Sequence, residues 1–276
     1  MAHIVIVTHT YDNFAKRRFL LGTLARHWID AGHVVNVAAG LENWPDADIA
    51  MMHIDLSVVP DAYTQACKRY PLVVNAAATD IRKTRVSRDL VRPDDGWTGP
   101  VIIKTDLNYG GIPEYLAAEQ FRREGKTSDL APGPVVSTDR PYPILGSPRE
   151  VPDAIWNNPG VVVERFQPEQ DAQGFALRVW VFFGERERCT RYCGPEPIMK
   201  GPNIIGREPV PVPEMLRAER ERLGFDYGKF DFVVRDDRTI LFDANRTPGA
   251  PPASPEIDAS NADLAGGIDA MLRRIR

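Results

Sequence analysis

The chain predicts an α/β fold in two parts: a small parallel sheet with helices on its faces, then a larger region of strands and hairpins. Two observations carry this. Over the first 75 residues, short β-branched runs alternate with stretches of helical apolar spacing, the pattern of βαβ units. Beyond a charged, turn-rich stretch at 80–95, apolar runs repeatedly end in a charged residue, and two of them form a hairpin. We place an N-terminal domain at 1–85 and a second domain at 86–276, the latter in two subdomains, roughly 86–160 and 161–276. With 276 residues, 43% hydrophobic and 26% charged, the composition is that of an ordinary globular protein able to bury a substantial core.

Residues 4–7 read as a strand and 8–13 as a polar turn. Residues 15–31 carry Phe19, Leu20, Thr23, Leu24 and Trp28 at helical spacing and stop at Gly32. Strands follow at 34–37 and 49–53, then a helix at 60–70 with Pro60 in its first turn, and a strand at 72–75. No Gly-x-Gly-x-x-Gly follows the first strand, and there is no P-loop lysine motif, so neither a dinucleotide site nor a P-loop is supported. His9 and Asp12, and likewise His53 and Asp55, lie at strand ends where α/β sheets bind ligands; surface residues are the plainer reading.

Three later segments carry chemistry. The run 101–104 ends in Lys104, and a lysine in a buried strand is costly without an anion. A turn then ends in Tyr109, Gly110 and Gly111, where backbone N–H groups are able to wrap an anion; a strand ending at a flexible turn is the plainer alternative. The run 161–163 stops at Glu164, followed by Arg165, Phe166 and the acidic residues Glu169 and Asp171, and the strand at 174–183 holds one arginine, Arg178. A buried ion pair between Glu164 and Arg178 is the plain reading of those two. Finally, 230–234 and 239–244 flank Asp236-Asp237-Arg238. A three-residue loop pairs Val233 with Leu241 and Asp231 with Asp243, and puts Asn245 on the Asp243 face. Facing carboxylates at ~4 Å repel by about 4 kcal/mol at an effective dielectric near 20. A divalent cation removes that penalty, and an oxygen-only set suits Mg²⁺ sharing substrate phosphates. Acids lying in solvent on a surface hairpin are the alternative, but the aromatic residues of both strands argue for a packed face.

In this order the segments resemble the ATP-grasp superfamily of ATP-dependent carboxylate–amine ligases, from about residue 75 by motif and before it by layout. The resemblance implies an ATP-grasp fold preceded by a small Rossmann-like, parallel-sheet domain. It implies ATP and Mg²⁺ as cofactors. Lys104 and Lys83 would meet phosphates, and Tyr109, Gly110 and Gly111 would close over them. Glu164, Arg165 and Phe166 would form the adenine hinge, with Glu169 at the ribose. Arg178 would face the phosphates or an acyl phosphate, joining Lys104 in catalysis. Asp231, Asp243 and Asn245 would hold the metal, with Pro248-Gly249 completing the motif. Asp243 stands where Glu is more usual. The reaction implied activates a carboxylate as an acyl phosphate and joins it to an amine. The partners are a small-molecule acid and amine or a peptide, and a homodimer is admissible. A small-molecule kinase and a non-catalytic nucleotide-binding regulator are the alternatives.

A net charge of −4 gives no support for nucleic-acid binding, and no apolar run is long enough for a membrane span. Three cysteines without Cys-x-x-Cys spacing suit a reducing cytoplasm. Prolines cluster at 132–152 and 195–213, read as lids or acceptor-site walls, with stiff connectors as the alternative; Arg191 and Lys200 border the second cluster as candidate phosphate partners.

Overall fold

A computed structural model describes residues 1–128, 130 and 142–275. Pro132, Pro134 and Pro141 of the first proline cluster lie outside the described residues. The chain runs β1 (His3–Thr8), α1 (Leu20–Asp30), β2 (Val34–Ala39), β3 (Ile49–Met52), α2 (Asp61–Cys67), β4 (Leu72–Val74), α3 (Lys83–Val86), β5 (Val101–Thr105) and α4 (Ile112–Arg123). It continues through β6 (Ile144–Leu145), α5 (Asp153–Trp156), β7 (Val161–Arg165), β8 (Glu169–Asp171), β9 (Gly174–Phe183), β10 (Arg186–Gly194) and β11 (Gly206–Pro209). It ends with α6 (Glu214–Leu223), β12 (Tyr227–Arg235), β13 (Arg238–Asn245), α7 (Pro255–Ala265) and α8 (Gly267–Arg273).

Among the described residues three sheets form. The first is parallel, in the order β2-β1-β3-β4. Its central strand β1 is buried on both faces, which is why Ile4–Val7 is uninterruptedly apolar. One face packs on α1, α7 and α8, and the other on α2 and Ala117 of α4. Helix α1 buries Leu20, Leu21, Leu24, Ala25 and Trp28, but starts five residues later than its apolar spacing suggests. The cause is tertiary: Phe19 bridges Gly249, and the Leu20 N–H donates to the Pro248 carbonyl at 2.8 Å.

The second sheet, β6-β5-β7, is antiparallel. Residues 161–165 pair with β5, so the expected subdivision at 160/161 falls inside this sheet. The third sheet runs β11-β10-β9-β12-β13, with β8 alongside β9. Trp180, Phe182, Phe230 and Phe232 line one of its faces and pack with Leu216 and Leu223 of α6.

The β12–β13 hairpin reaches the expected pairing by an unexpected route. Its turn has two residues, with Arg235 opposite Arg238 and Val233 opposite Ile240 rather than Leu241. Asp236 and Asp237 take φ of 49° and 59°, as a turn matched to the strand twist requires of both central residues. A register shift then lets Phe242 bulge, and this extra residue restores Asp231 to a position opposite Asp243.

Arg246 ties the third sheet to the first. It is fully buried and donates to the carbonyls of Ile54 at 3.1 Å, Ala78 at 2.9 Å and Leu56. Burial pulls its guanidinium down to about 10, against the opposing charges of Asp55, Asp80 and Glu114. Arg246→Met leaves three buried carbonyls without donors and is expected to destabilise the chain by about 3–5 kcal/mol in urea unfolding at pH 7.

Candidate functional site

A cavity of about 370 Å³ opens between the β5–β7 sheet and the third sheet. Its floor is the open face of the β12–β13 hairpin. Lys229, Asp231, Asp243 and Asn245 all reach it because β12 and β13 alternate in register, Lys229 opposite Asn245 and Asp231 opposite Asp243. Lys104 descends from β5 and Glu164 from β7, while Lys83 enters from α3.

Each lysine meets a carboxylate. Lys104 pairs with Glu164 and sits 4.8 Å from the Phe242 ring centroid. Lys83 Nζ lies 3.5 Å from Asp243 Oδ1 and 3.4 Å from the Leu107 carbonyl. Lys229 Nζ lies 2.8 Å from Asp231 Oδ2. Burial works against charge on Lys83 and Lys229, but the surrounding acidic groups, led by Asp243 at Lys83 and Asp231 at Lys229, together outweigh it and raise both lysines. Burial raises the Asp231 carboxyl, Lys229 opposes that, and Asp243 adds to it. Among the described residues, Asp231 Oδ1 and Glu164 Oε1 are buried without a hydrogen-bond partner. Buried acceptors left open at a cavity are the kind of group a cation or a donor-bearing ligand completes.

Two carboxylates and the Asn245 amide therefore converge as hard oxygen donors suited to Mg²⁺, although Lys229 and Lys83 occupy part of their capacity. Among the described residues no group of three or more His, Cys, Asp or Glu is placed to hold a metal. Any cation here relies on Asn245 and on oxygens from a ligand.

The glycine loop forms a turn at Asn108–Gly111 with three successive left-handed residues, Tyr109, Gly110 and Gly111, at φ of 47°, 67° and 76°. Tyr109 lines the cavity; the two glycines stand behind it and lead into α4. Arg165, Phe166, Gln167 and Pro168 form a wall, with Arg165 5.1 Å from the Trp97 ring. Pro197, Ile198 and Met199 of the second proline cluster border the cavity too.

Glu169 and Arg178 are placed elsewhere. Asp231 pairs across the sheet with Val179 and Phe232 with Arg178, so Arg178 lies on the Trp180 face, away from Asp231. There Glu169 accepts from Arg178 at 2.9 Å, from Arg191 at 2.9 Å and from the Val234 N–H at 2.8 Å. These contacts occupy the expected ribose and phosphate groups in a structural cluster. They also correct the Glu164–Arg178 pairing, since Glu164 pairs with Lys104. Arg191 is likewise held by Glu169, Asp171 and Glu208.

Sequence reasoning passed over Lys229, Asp89 and Phe242, all on the cavity wall. Lys229 was legible, because it stands two residues before Asp231 in a strand and so shares its face. Phe242 was not, because only the bulge brings it in beside Asp243.

The strand-end residues form buried clusters. His53 packs edge-on to Phe14 and Phe19, with neither ring nitrogen partnered among the described residues. Burial, then the charges of Arg246 and Arg17, depress it to about 3; burial depresses His9 to about 4. Asp12 moves the other way, raised by burial to about 7.

No protein-family model and no curated protein matches the chain. Among solved structures it is similar to the ATP-grasp ligase PsnB complexed with minimal precursor, Mg and ADP. The identity is 11% and the TM-score 0.50, over 98% of this chain and 96% of that one. It is also similar to the D-alanine–D-alanine ligase from Bacillus anthracis complexed with ATP, at 13% identity and TM-score 0.49, over 100% and 98% of the two chains. A RimK domain ATP-grasp protein from Sphaerobacter thermophilus gives 15% identity and TM-score 0.46, over 97% and 99%. The likeness to PsnB spans almost the whole of both chains, and the fold is the ATP-grasp fold. Among the described residues no helix is long and apolar enough to cross a membrane.

A depressed histidine pKa means the unfolded chain takes up a proton that the fold refuses. Stability from His53 is thus present above pH 6.5 and lost as pH falls toward 3. Asp12 titrates with the opposite sign, so the comparison with His53→Leu isolates the histidine. Between pH 7 and pH 5 the variant is expected to gain about 2 kcal/mol relative to wild type in urea unfolding.

Proposed function

We propose that the chain is an ATP- and Mg²⁺-dependent ligase that activates a substrate carboxylate as an acyl phosphate and joins it to an amine. The observation that carries this reading is a shared cavity between two sheets, where Lys83, Lys104 and Lys229 face Asp231, Asp243 and Asn245. Three cations suit a triphosphate, and the two carboxylates with the amide suit the metal that accompanies it. The likeness in fold to an ATP-grasp ligase supports this reading.

In this reading Lys83 and Lys104 exchange their carboxylate partners for phosphate oxygens, and Tyr109, carried on the turn that Gly110 and Gly111 make, lies over the phosphates. Arg165 and Phe166 flank the base, with Glu164 as an acceptor beside it. Asp231, Asp243 and Asn245 would hold Mg²⁺, which when bound supplies charge neutralisation along the phosphates. Lys229, beside Asp231, is placed to stabilise negative charge developing at the transferred phosphoryl group. Positioning and charge complementarity, rather than covalent catalysis, make up the protein's contribution. The acid and amine belong to small molecules or to a peptide, in a cytoplasmic setting.

The test is ATP-dependent hydroxamate formation with hydroxylamine across a panel of amino acids, dipeptides and dicarboxylates. A product identifies acyl-phosphate chemistry and the acid together. Clear Mg-ATP binding with no hydroxamate from any acid, but ADP release to a hydroxyl acceptor, overturns it in favour of a kinase. Lys104→Ala and Asp243→Ala are each expected to lower turnover by about 10²–10³-fold while melting cooperatively. Near-wild-type turnover in either removes that residue from the site.

A further inference from the structure

Asn245 is held by a short polar chain that begins in the first sheet. Its Oδ1 accepts from the Thr247 backbone N–H at 2.7 Å. The Thr247 hydroxyl oxygen lies 3.1 Å from the same Asn245 Oδ1 and 2.5 Å from Asp55 Oδ1. Asp55 stands just beyond the end of β3. Its other oxygen pairs with Arg17, and its backbone N–H donates to Asp12 Oδ2 at 3.1 Å. Thr247 and Asp55 are both buried, at 3% and 5% exposure, so no bulk water competes for these groups.

A threonine hydroxyl has one proton and here two acceptors within reach. The shorter contact, to an ionised oxygen, takes it. Asn245 Oδ1 then receives one hydrogen bond, from the backbone, and keeps its second lone pair. Without the Asp55 carboxylate, the same proton turns to Asn245 and occupies that lone pair.

We propose that Asp55 is a positioning residue for the metal site: it draws the Thr247 hydroxyl proton away from Asn245 and so leaves the amide oxygen open to the cation. This rests on the reading of Asn245 as a Mg²⁺ ligand. Arg17, whose side chain is 40% exposed, completes the chain by neutralising Asp55 at its outer end. Outer groups of this kind typically govern 10–100-fold in metal affinity.

The experiment measures ATP binding by calorimetry as Mg²⁺ is titrated, and again with EDTA, for the wild-type chain, Asp55→Ala and Asp55→Ala/Thr247→Val. Asp55→Ala is expected to raise the Mg²⁺ concentration for half-saturation about tenfold while leaving metal-free ATP binding unchanged. Removing the misdirected hydroxyl in the double variant restores the Mg²⁺ dependence to within about threefold of wild type. A purely structural role for Asp55 makes the double variant no better than the single one, and that result overturns the proposal. If Asp55→Ala does not fold, Asp55→Asn keeps the volume but makes the two acceptors equal amides; its expected rise is several-fold, again reversed by Thr247→Val. An unchanged Mg²⁺ dependence in the Asp55 variants overturns the positioning role alone. Failure of the wild-type chain to bind Mg-ATP overturns the nucleotide reading, and this proposal with it.

Discussion

The buried guanidinium of Arg246 is the constraint on which the rest of the arrangement depends. Three carbonyls from two separate loops, those of Ile54, Leu56 and Ala78, converge on it. Leu56 and Ile54 follow β3 of the parallel sheet, Ala78 follows β4, and Arg246 itself follows β13 of the hairpin sheet. This side chain, together with the Thr247–Asp55 contact and the Leu20–Pro248 hydrogen bond, fixes where the hairpin's end sits against the parallel sheet. Its flanking residues inherit that position: Asn245 is turned into the cavity on one side, and Thr247 toward Asp55 on the other. A buried cation without a dedicated carboxylate is tolerable here because carbonyl dipoles surround it and Asp55, Asp80 and Glu114 lie near enough to favour its charge.

The cavity's charges are balanced before any ligand enters. Lys104 with Glu164, Lys83 with Asp243 and Lys229 with Asp231 are three partnered sets lining one space. Buried ion pairs contribute little net stability, because desolvation offsets most of their attraction. Their value lies in exchange. An incoming polyanion competes for the lysines, and an accompanying cation competes for the acids. In the proposed reading neither exchange alone leaves the remaining partner satisfied, so nucleotide with its metal is expected to bind more tightly than nucleotide alone.

Much of the fold was legible in the sequence because its signals are local. The parallel sheet follows from runs such as Ile4–Val7, and the cavity lysine at 104 from a charge at the end of a β-branched strand. What failed was whatever tertiary pairing decides. Helical spacing placed Phe19 in α1, but the strand-like bridge to Gly249 took it out. Arg178 lies in the expected strand on the unexpected face, and only the pairing with β12 reveals which face that is. The Asp231–Asp243 match was found through a three-residue loop that does not exist; a tighter turn and a compensating bulge give the same outcome. Two offsetting errors of one residue are invisible to a reading based on period alone.

That bulge has a consequence for how densely the cavity wall is furnished. Regular alternation allots a wall every second residue of a strand. At the bulge two neighbours, Phe242 and Asp243, both face inward, so the ring under the Lys104 ammonium and the carboxylate beside Lys83 come from adjacent positions. Two cations of the cavity thereby meet groups one residue apart on the hairpin, where an unbroken ladder offers an interval of two. A chain lacking residue 242 would still bring its acids face to face, yet it would lose the aromatic surface beneath Lys104. The irregularity acts as a ruler, and its length is a single residue.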